Sequence, residues 1–297
     1  MKFLITGGAG FIGSHLVRRL SAQGPVTVLD DLSSGKRENL AGLSCAWLQG
    51  SILDPAPLAE ACAGATHVFH LAALVSVPES VSHPARCHEI NVEGTRRVLA
   101  AAAQAGAKRL VLASSCAVYG DEPTMPKTET SPTAPASPYA ESKLAGEKLC
   151  AQAPLPAVAL RFFNVYGPRQ DPRGPYAAAV PKFLEAARAG TPLTIFGNGH
   201  QTRDFVYVDD VTAALEHAAF SPAMSGVYNV ASGCSVSVLR LAELILSLTG
   251  LRSEIRHAPA RPGDILHSSA SIEKLRASGW KPAFDLSAGL QKTLSTN

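Results

Sequence analysis

The stretch Ile5-Thr6-Gly7-Gly8-Ala9-Gly10-Phe11-Ile12-Gly13-Ser14 decides how this chain is read. It follows the run Lys2 to Thr6, which reads as a buried parallel strand, and opens a helical pattern that continues through His15 to Ala22. Gly7, Gly10 and Gly13, at three-residue spacing, therefore occupy a strand-to-helix turn. Glycine permits a tight turn and lets backbone N–H groups approach an anion, while the helix N-terminus adds about half a positive charge. A dinucleotide pyrophosphate fits there. Glycines also cluster in ordinary turns, so the surroundings carry the weight. Val26 to Leu29 supplies a second strand, and Asp30 ends it at the distance, about 20 residues, where an acidic side chain meets a ribose hydroxyl.

A chain of 297 residues buries about 75% of its extended surface, enough for one large core or two unequal domains. No run of about 18 apolar residues marks a membrane span. The first residues enter a strand and a glycine turn without a basic leader and apolar core, so a cytoplasmic location is expected. Cys45, Cys62, Cys87, Cys116, Cys150 and Cys234 form no C-x-x-C pair, which speaks against a metal site and suits reduced thiols. The net charge of +3 is small and unclustered. No nucleic-acid or membrane partner is expected from it.

Through the first half, strand candidates at Cys45–Leu48, His67–Leu71, Arg109–Ser114 and Ala157–Phe163 alternate with amphipathic stretches, notably His83–Gln104 and Pro138–Ala151. Such alternation implies an α/β fold, a doubly wound parallel Rossmann sheet with right-handed crossovers. Gly120–Ser137, rich in Pro, Thr, Ser and Glu, interrupts it as either a plain surface loop or a functional one at a strand end. Beyond Tyr166 the character changes. Pro172–Gly190, Val236–Leu248 and Ile272–Ser278 read as helices, and Leu193–Phe196 and Phe205–Val208 as short strands. Residues 1–165 are thus expected to form a dinucleotide-binding domain and 166–297 a smaller C-terminal α/β substrate domain, some of whose segments return to the first.

Tyr139-Ala140-Glu141-Ser142-Lys143 places a phenol and an ammonium one turn apart on a helix face. Alone, the pair fits a solvated face as well as a general base. As a base it makes chemical sense. An ammonium about 5 Å away at an effective dielectric near 20 contributes about 3 kcal/mol, enough to bring the phenol about two pH units below its usual value near 10. Ser114-Ser115 closes the neighbouring strand, where a hydroxyl can bond a substrate oxygen or merely its own backbone. His67 and His70 suggest a metal, but positions i and i+3 of a strand face opposite sides, so a packing or capping role is expected for His70. Cys116 has no His partner and reads as a small filler.

With these residues stand, in order, Asp30-Asp31-Leu32-Ser33-Ser34-Gly35, His70-Leu71-Ala72-Ala73, Asn91-Val92-Glu93-Gly94-Thr95, Arg161-Phe162-Phe163-Asn164-Val165-Tyr166-Gly167-Pro168, Arg203-Asp204-Phe205-Val206-Tyr207-Val208-Asp209-Asp210 and Arg261-Pro262-Gly263-Asp264. Over essentially its whole length the chain resembles the extended short-chain dehydrogenase/reductases, specifically the UDP-sugar 4-epimerases. The resemblance implies NAD as cofactor, with Gly7, Gly10, Phe11 and Ile12 at the pyrophosphate. Asp30, Asp31, Ser34 and Gly35 would take the adenosine ribose, and Ser51 and Ile52 the adenine side. Leu71, Ala72, Ala73 and Phe163 would line the cofactor, Asn91 would position the adjoining loop, and Tyr139 and Lys143 would also reach the nicotinamide ribose.

Catalysis would fall to Ser115, Tyr139 and Lys143, and the nucleotide-sugar to Ser115, Asn164, Phe196, Arg203, Arg261 and Asp264. Arginines suit the diphosphate because their forks bind phosphate oxygens bidentately; without the motif they would read as surface ion pairs. Ala178, Val180 and Ser268 would wall the sugar, with Ala178 and Ser268 small enough to admit an N-acetyl group. The implied reaction is 4-epimerisation of a UDP-hexose by transient oxidation, in a homodimer built on helices over His83–Gln104 and Pro138–Ala151. Uronic-acid epimerases, decarboxylases and dehydratases of the same family remain alternatives, as does a non-catalytic NAD-binding protein. Dehydratases carry Asp-Glu where this chain has Cys116-Ala117, and Asp30 repels the 2′-phosphate of NADP.

Overall fold

A computed structural model describes residues 1–172, 178–260 and 265–296. The elements run β1 (Phe3–Thr6), α1 (Phe11–Ser21), β2 (Val26–Asp30), β3 (Ala46–Gln49), α2 (Pro55–Cys62), β4 (His67–His70), α3 (Val77–Ser82), α4 (Pro84–His88), α5 (Gly94–Gln104), β5 (Arg109–Ser115), α6 (Pro138–Ala151) and β6 (Ala157–Phe162). They continue as β7 (Asn164–Tyr166), α7 (Ala179–Ala189), β8 (Leu193–Phe196), β9 (Thr202–Tyr207), α8 (Val208–Phe220), β10 (Gly226–Val230), β11 (Ser235–Ser237), α9 (Val238–Thr249), β12 (Ile255–Ala258), α10 (Glu273–Ala277) and α11 (Leu286–Ser295).

Seven strands make one parallel sheet in the order β10-β6-β5-β4-β1-β2-β3. The order reverses between β1 and β4, where neighbouring connections leave in opposite directions and open a crevice at the strands' carboxyl ends. β1, β2 and β4 are buried along their whole length, as strands covered on both faces must be. One face packs Phe3, Ile5, Leu16, Val17, Val28 and Leu215 under α1 and α8. The other packs Leu4, Leu58, Val98, Leu110 and Leu112 under α2 and α5. Each such side chain contributes about 1.5–3 kcal/mol by leaving water. A third core joins α7, α9 and α11 around Tyr166, Phe183, Leu241 and Ile245, beside two small sheets, β11-β9-β7 and β12-β8.

The doubly wound Rossmann-type sheet is as expected, with local corrections. His83–Gln104 is not one helix: α4 and α5 are separated by a π-helical turn, Glu89–Glu93, in which the Gly94 N–H reaches back to the Glu89 carbonyl. Gly94 packs closely on Ile52, whose Cδ1 would stand 2.5 Å from a Cβ placed there. Within Pro172–Gly190 the described helix begins only at Ala179, and 173–177 lie outside the described residues. Ser235–Ser237 pairs with β9 as a strand, so the helix expected from Val236 starts at Val238, where Ser237 caps it by accepting from Arg240 N–H at 3.1 Å. Strand β10 was not foreseen; Gly226 to Val230 pairs with β6 along its length.

The glycine turn is set by close approach. A Cβ on Gly13 would fall 2.2 Å from the Gly7 carbonyl oxygen, and one on Gly7, whose φ is 72°, would fall 2.6 Å from Ala72 N. Gly13→Ala is therefore expected to lower unfolding stability by about 1–3 kcal/mol in urea titrations, the usual cost of overpacking. Unchanged stability would show that α1 can retreat from the turn.

Candidate active site

Helix α6 sets the chemistry. Pro138 starts it, and Ser137 caps it by accepting from Ala140 N–H at 3.2 Å. The Tyr139 backbone N–H donates to Ser80 Oγ at 3.1 Å, which fixes the rim of the helix against α3. Tyr139 and Lys143 then face the end of β5. The Tyr139 hydroxyl is hydrogen-bonded to Ser115, and Lys143 Nζ donates to the Ala113 carbonyl at 2.9 Å while standing 5.7 Å from the Tyr139 ring centre. Ser115, the last residue of β5, also accepts from Ala117 N–H at 3.2 Å. The three candidate catalytic residues are thus one cluster at the carboxyl end of the sheet.

Electrostatics there differ from the simple expectation. Burial of the hydroxyl pushes Tyr139 up to about 12, with the Ser115 hydrogen bond pulling the other way. Burial likewise pushes Lys143 down to about 8. The expected lowering of Tyr139 gives way to a rise because removing the phenol from water dominates its surroundings. His70, fully buried, sits at about 3 for the same reason, with Lys143 adding to the effect. Its ring bridges Thr6 Oγ1 at 2.7 Å and Thr95 Oγ1 at 3.0 Å, a packing role. Cys116 is pushed up to about 11 by burial, which leaves it a thiol and a poor nucleophile.

The residues assigned to a dinucleotide surround the crevice between β1 and β4. Helix α1 begins at Gly10 with no side-chain cap, so first-turn N–H groups beside Phe11 and Ile12 face outward as donors for an anion. Gly10 leaves little room, a Cβ there lying 3.2 Å from the Gly7 carbonyl. Asp30 accepts from Ala9 N–H and Leu32 N–H, both at 2.9 Å, tying the turn to the loop after β2. Gly35 packs on it, where a Cβ would stand 3.0 Å from Asp30 Oδ1. Asp31 and Ser34 are exposed on that loop, and Ser51 accepts from Leu53 N–H beside the buried Ile52. Leu71, Ala72 and Ala73 leave the end of β4, alongside Gly7. Asn91 spends its amide on Leu74, accepting from its N–H at 2.7 Å and donating to its carbonyl at 2.9 Å, and donates to Ser142 Oγ at 2.9 Å. It holds the loop onto α6 and has little left for a ligand. Phe163 is buried and donates its N–H to the Val230 carbonyl. These donors and glycine surfaces fit a dinucleotide.

A cleft of about 540 Å³ lies between β7, α7, β8 and β9. Asn164, Ala178, Val180, Phe196 and Arg203 all line it, so five residues spread along the sequence converge. Asn164 Nδ2 donates to the Asp204 carbonyl, and Asp204 is locked by Ser232 and Gly233 N–H groups. Ser268 is not part of this lining; its N–H donates to the Thr202 carbonyl beside Arg203. Ser115 also lies outside the lining, linked to it through Phe162, its partner across β5 and β6 two residues before Asn164. Cys116 spans the gap, within electrostatic reach of Tyr139, Arg203 and Asp204. Arg261 and Asp264 lie outside the described residues. Sequence reading missed Gln201, which lines the cleft and donates to the Phe196 carbonyl at 2.7 Å. Its spacing of two from Arg203 was the available signal.

Known proteins share this arrangement. The model of the NAD dependent epimerase/dehydratase family matches residues 3–231. The UDP-glucose 4-epimerase of Mycolicibacterium smegmatis is 41% identical over 99% of this chain and 97% of its own. The solved UDP-N-acetylglucosamine 4-epimerase from Methanobrevibacter ruminantium, in complex with UDP-N-acetylmuramic acid, superposes with a TM-score of 0.94 at 40% identity, covering 99% of this chain and 97% of that one. The Thermus thermophilus UDP-glucose 4-epimerase, solved with NAD, gives 0.90 at 39% identity over 99% and 98%. Likeness at this identity over nearly the whole length, with a family match over residues 3–231, is that of kin: the chain belongs to the NAD dependent epimerase/dehydratase family, and its cofactor is NAD.

Proposed function

We propose that this chain is a 4-epimerase of UDP-hexoses, interconverting UDP-glucose with UDP-galactose and UDP-N-acetylglucosamine with UDP-N-acetylgalactosamine through a transient 4-keto sugar. One observation carries the reading: a hydrogen-bonded Ser115–Tyr139 pair, backed by Lys143, stands apart from a separate cleft lined by Asn164, Phe196 and Arg203. Epimerisation needs that separation, since the sugar must present both faces to one reacting centre while its nucleotide stays anchored.

In this scheme Ser115 hydrogen-bonds the sugar 4-hydroxyl and Tyr139, as phenolate, takes its proton. NAD supplies the hydride acceptor and donor at C4. Tyr139 starts high, so it serves as base only where positive charge draws it down, and Lys143 is the cation on this chain that stands beside it. Arg203 and Asn164, with Arg261 and Asp264, hold the UDP moiety. Tyr139 then returns the proton to the opposite epimer. Cys116 and Ala117 offer no acid or base for eliminating water, which speaks against dehydration. A homodimer is part of the proposal, across the outer sides of α5 and α6, near which Val77 and Val81 are exposed.

The direct test is product analysis of the purified protein with each of the four UDP-sugars. Tyr139→Phe is expected to lower kcat by about 100-fold or more with little change in UDP binding. A variant with wild-type kcat would remove the phenol from the scheme. NAD is expected to bind at least about tenfold more tightly than NADP, and Asp30→Ala to narrow that gap; a preference for NADP would overturn the role given to the carboxylate. Ala178 in the cleft wall and Ser268 beside Thr202 leave room for an acetamido group. Ser268→Tyr is expected to cut kcat/KM for UDP-N-acetylglucosamine at least about tenfold, the scale of about 1–3 kcal/mol of overpacking, while sparing UDP-glucose. Equal loss on both sugars would mean that Ser268 does not read the substituent.

A further inference from the structure

Tyr139, Lys143 and Glu147 follow one another at four-residue intervals on α6, and the third is unexplained by the scheme above. Glu147 is 6% exposed. Its Oε1 accepts from Ser114 Oγ at 2.5 Å and from Arg161 Nε at 2.8 Å, and its Oε2 accepts from Arg161 Nη2 at 2.7 Å. Ser114 and Arg161 are direct neighbours in the register of β5 and β6, one residue before Ser115 and Phe162. The Arg161 guanidinium lies over the Tyr119 ring, 4.7 Å from its centre, and Tyr119 in turn donates to Asn229 Oδ1 on β10. A bidentate ion pair therefore ties the helix that carries the phenol and ammonium to the two strand ends that carry Ser115 and the start of the nucleotide cleft.

We propose that Glu147 is a positioning residue for the reaction, keeping Lys143 charged and its ammonium aimed at Ala113 and Tyr139 by placing a carboxylate one helical turn beyond it, with Arg161 and Ser114 holding that carboxylate in place. The reading rests on the epimerase assignment for its catalytic meaning. β5 faces Lys143 and its carboxylate with the uncharged Ala113 carbonyl and Ser114 hydroxyl, and three further elements bring titratable groups. Cys87 faces it from α4, His70 from β4, and Arg161 from β6 by way of Glu147. His70 is neutral, so it gives the ammonium no counter-charge. Cys87 and then Glu147 act on Lys143 in the direction that opposes burial, and Glu147 is the carboxylate of the two. Arg161 does two things at once: it makes a buried carboxylate tolerable, and it limits how much of the negative charge reaches Lys143.

The test follows the Lys143 ammonium directly in NAD-loaded protein labelled with 13C at lysine Cε, with the resonance assigned by its loss in Lys143→Arg. In wild type the midpoint is expected near 8. Glu147→Gln leaves the Arg161 charge uncompensated and is expected to lower the midpoint by about one pH unit or more. Adding Arg161→Gln to Glu147→Gln removes that charge, so the double variant is expected to recover at least half of the shift. A carboxylate that only braced the fold would give the opposite ranking, with the double variant as low as the single or lower, and that result overturns the proposal. No shift in Glu147→Gln overturns it too. If Glu147→Gln does not fold, Ser114→Ala removes one hydrogen bond from Oε1 and keeps the ion pair. The carboxylate then acts more strongly on Lys143 and its midpoint is expected to rise by a few tenths of a pH unit; a fall or no change counts against the proposal. UDP-sugar turnover by the wild type tests the epimerase assignment separately, because the titration is read on the protein whatever the sugar proves to be.

Discussion

An ammonium kept out of water at the carboxyl end of a parallel sheet is the constraint around which this molecule is arranged. Lys143 must satisfy its donors without solvent, and the Ala113 carbonyl, at 2.9 Å, is one partner that β5 provides by ending where it does. With the Glu147–Arg161 ion pair, that contact holds α6 at one height against the sheet. Once the height is fixed, Tyr139 meets Ser115 and Glu147 meets Ser114 and Arg161, so one helical face sets three registers together. Breaking one member of a buried pair costs about 3–5 kcal/mol. The site is in this sense inseparable from the packing beneath it.

Two different economies of polar groups operate on the two sides of the crevice. On the side proposed for the dinucleotide, backbone predominates: an uncapped helix start, glycines whose missing Cβ atoms leave room, and one carboxylate, Asp30, that organises two loops by accepting their N–H groups. On the side proposed for the substrate, the cleft is lined by side chains drawn from β7, α7, β8 and β9. Backbone recognition is rigid and suits a cofactor that stays; a wall of side chains from several elements can change its specificity one residue at a time.

Much of this was legible in the sequence because the relevant signals are local. The glycine turn, Asp30 at the end of β2 and the Tyr139–Lys143 spacing are each contained within a few residues of chain, and the structure places them where the spacing says. What was not legible depends on distance. Nothing in Gly226-Val227-Tyr228-Asn229-Val230 announces a partner in β6, far back in the chain. The π-turn at Glu89–Glu93 arises where Asn91 reaches across to Leu74 and Ser142, contacts that the helical periodicity of its own segment cannot reveal. The expected lowering of Tyr139 by Lys143 failed for a related reason: sequence shows a charge and its neighbour but not how much water surrounds them. Ser268 was assigned to the sugar wall by resemblance alone; its N–H donates to the Thr202 carbonyl, next to the lining residue Arg203.

The position of β10 bears on how the chain assembles during synthesis. This strand pairs with β6 along its whole length and forms one margin of the sheet, yet β7, α7, β8, β9 and α8 are all made between them. While those segments emerge from the ribosome, β6 is an open edge with unmatched N–H and C=O groups, a template for pairing with another chain. The nascent first half can collapse around β1 to β5 early. Its margin at β6 closes only when Gly226 to Val230 have been delivered, whereas β3, at the other margin, pairs with β2 alone among the described residues. A chain cut short before that point keeps an open edge at β6, beside Ser114 and Ser115.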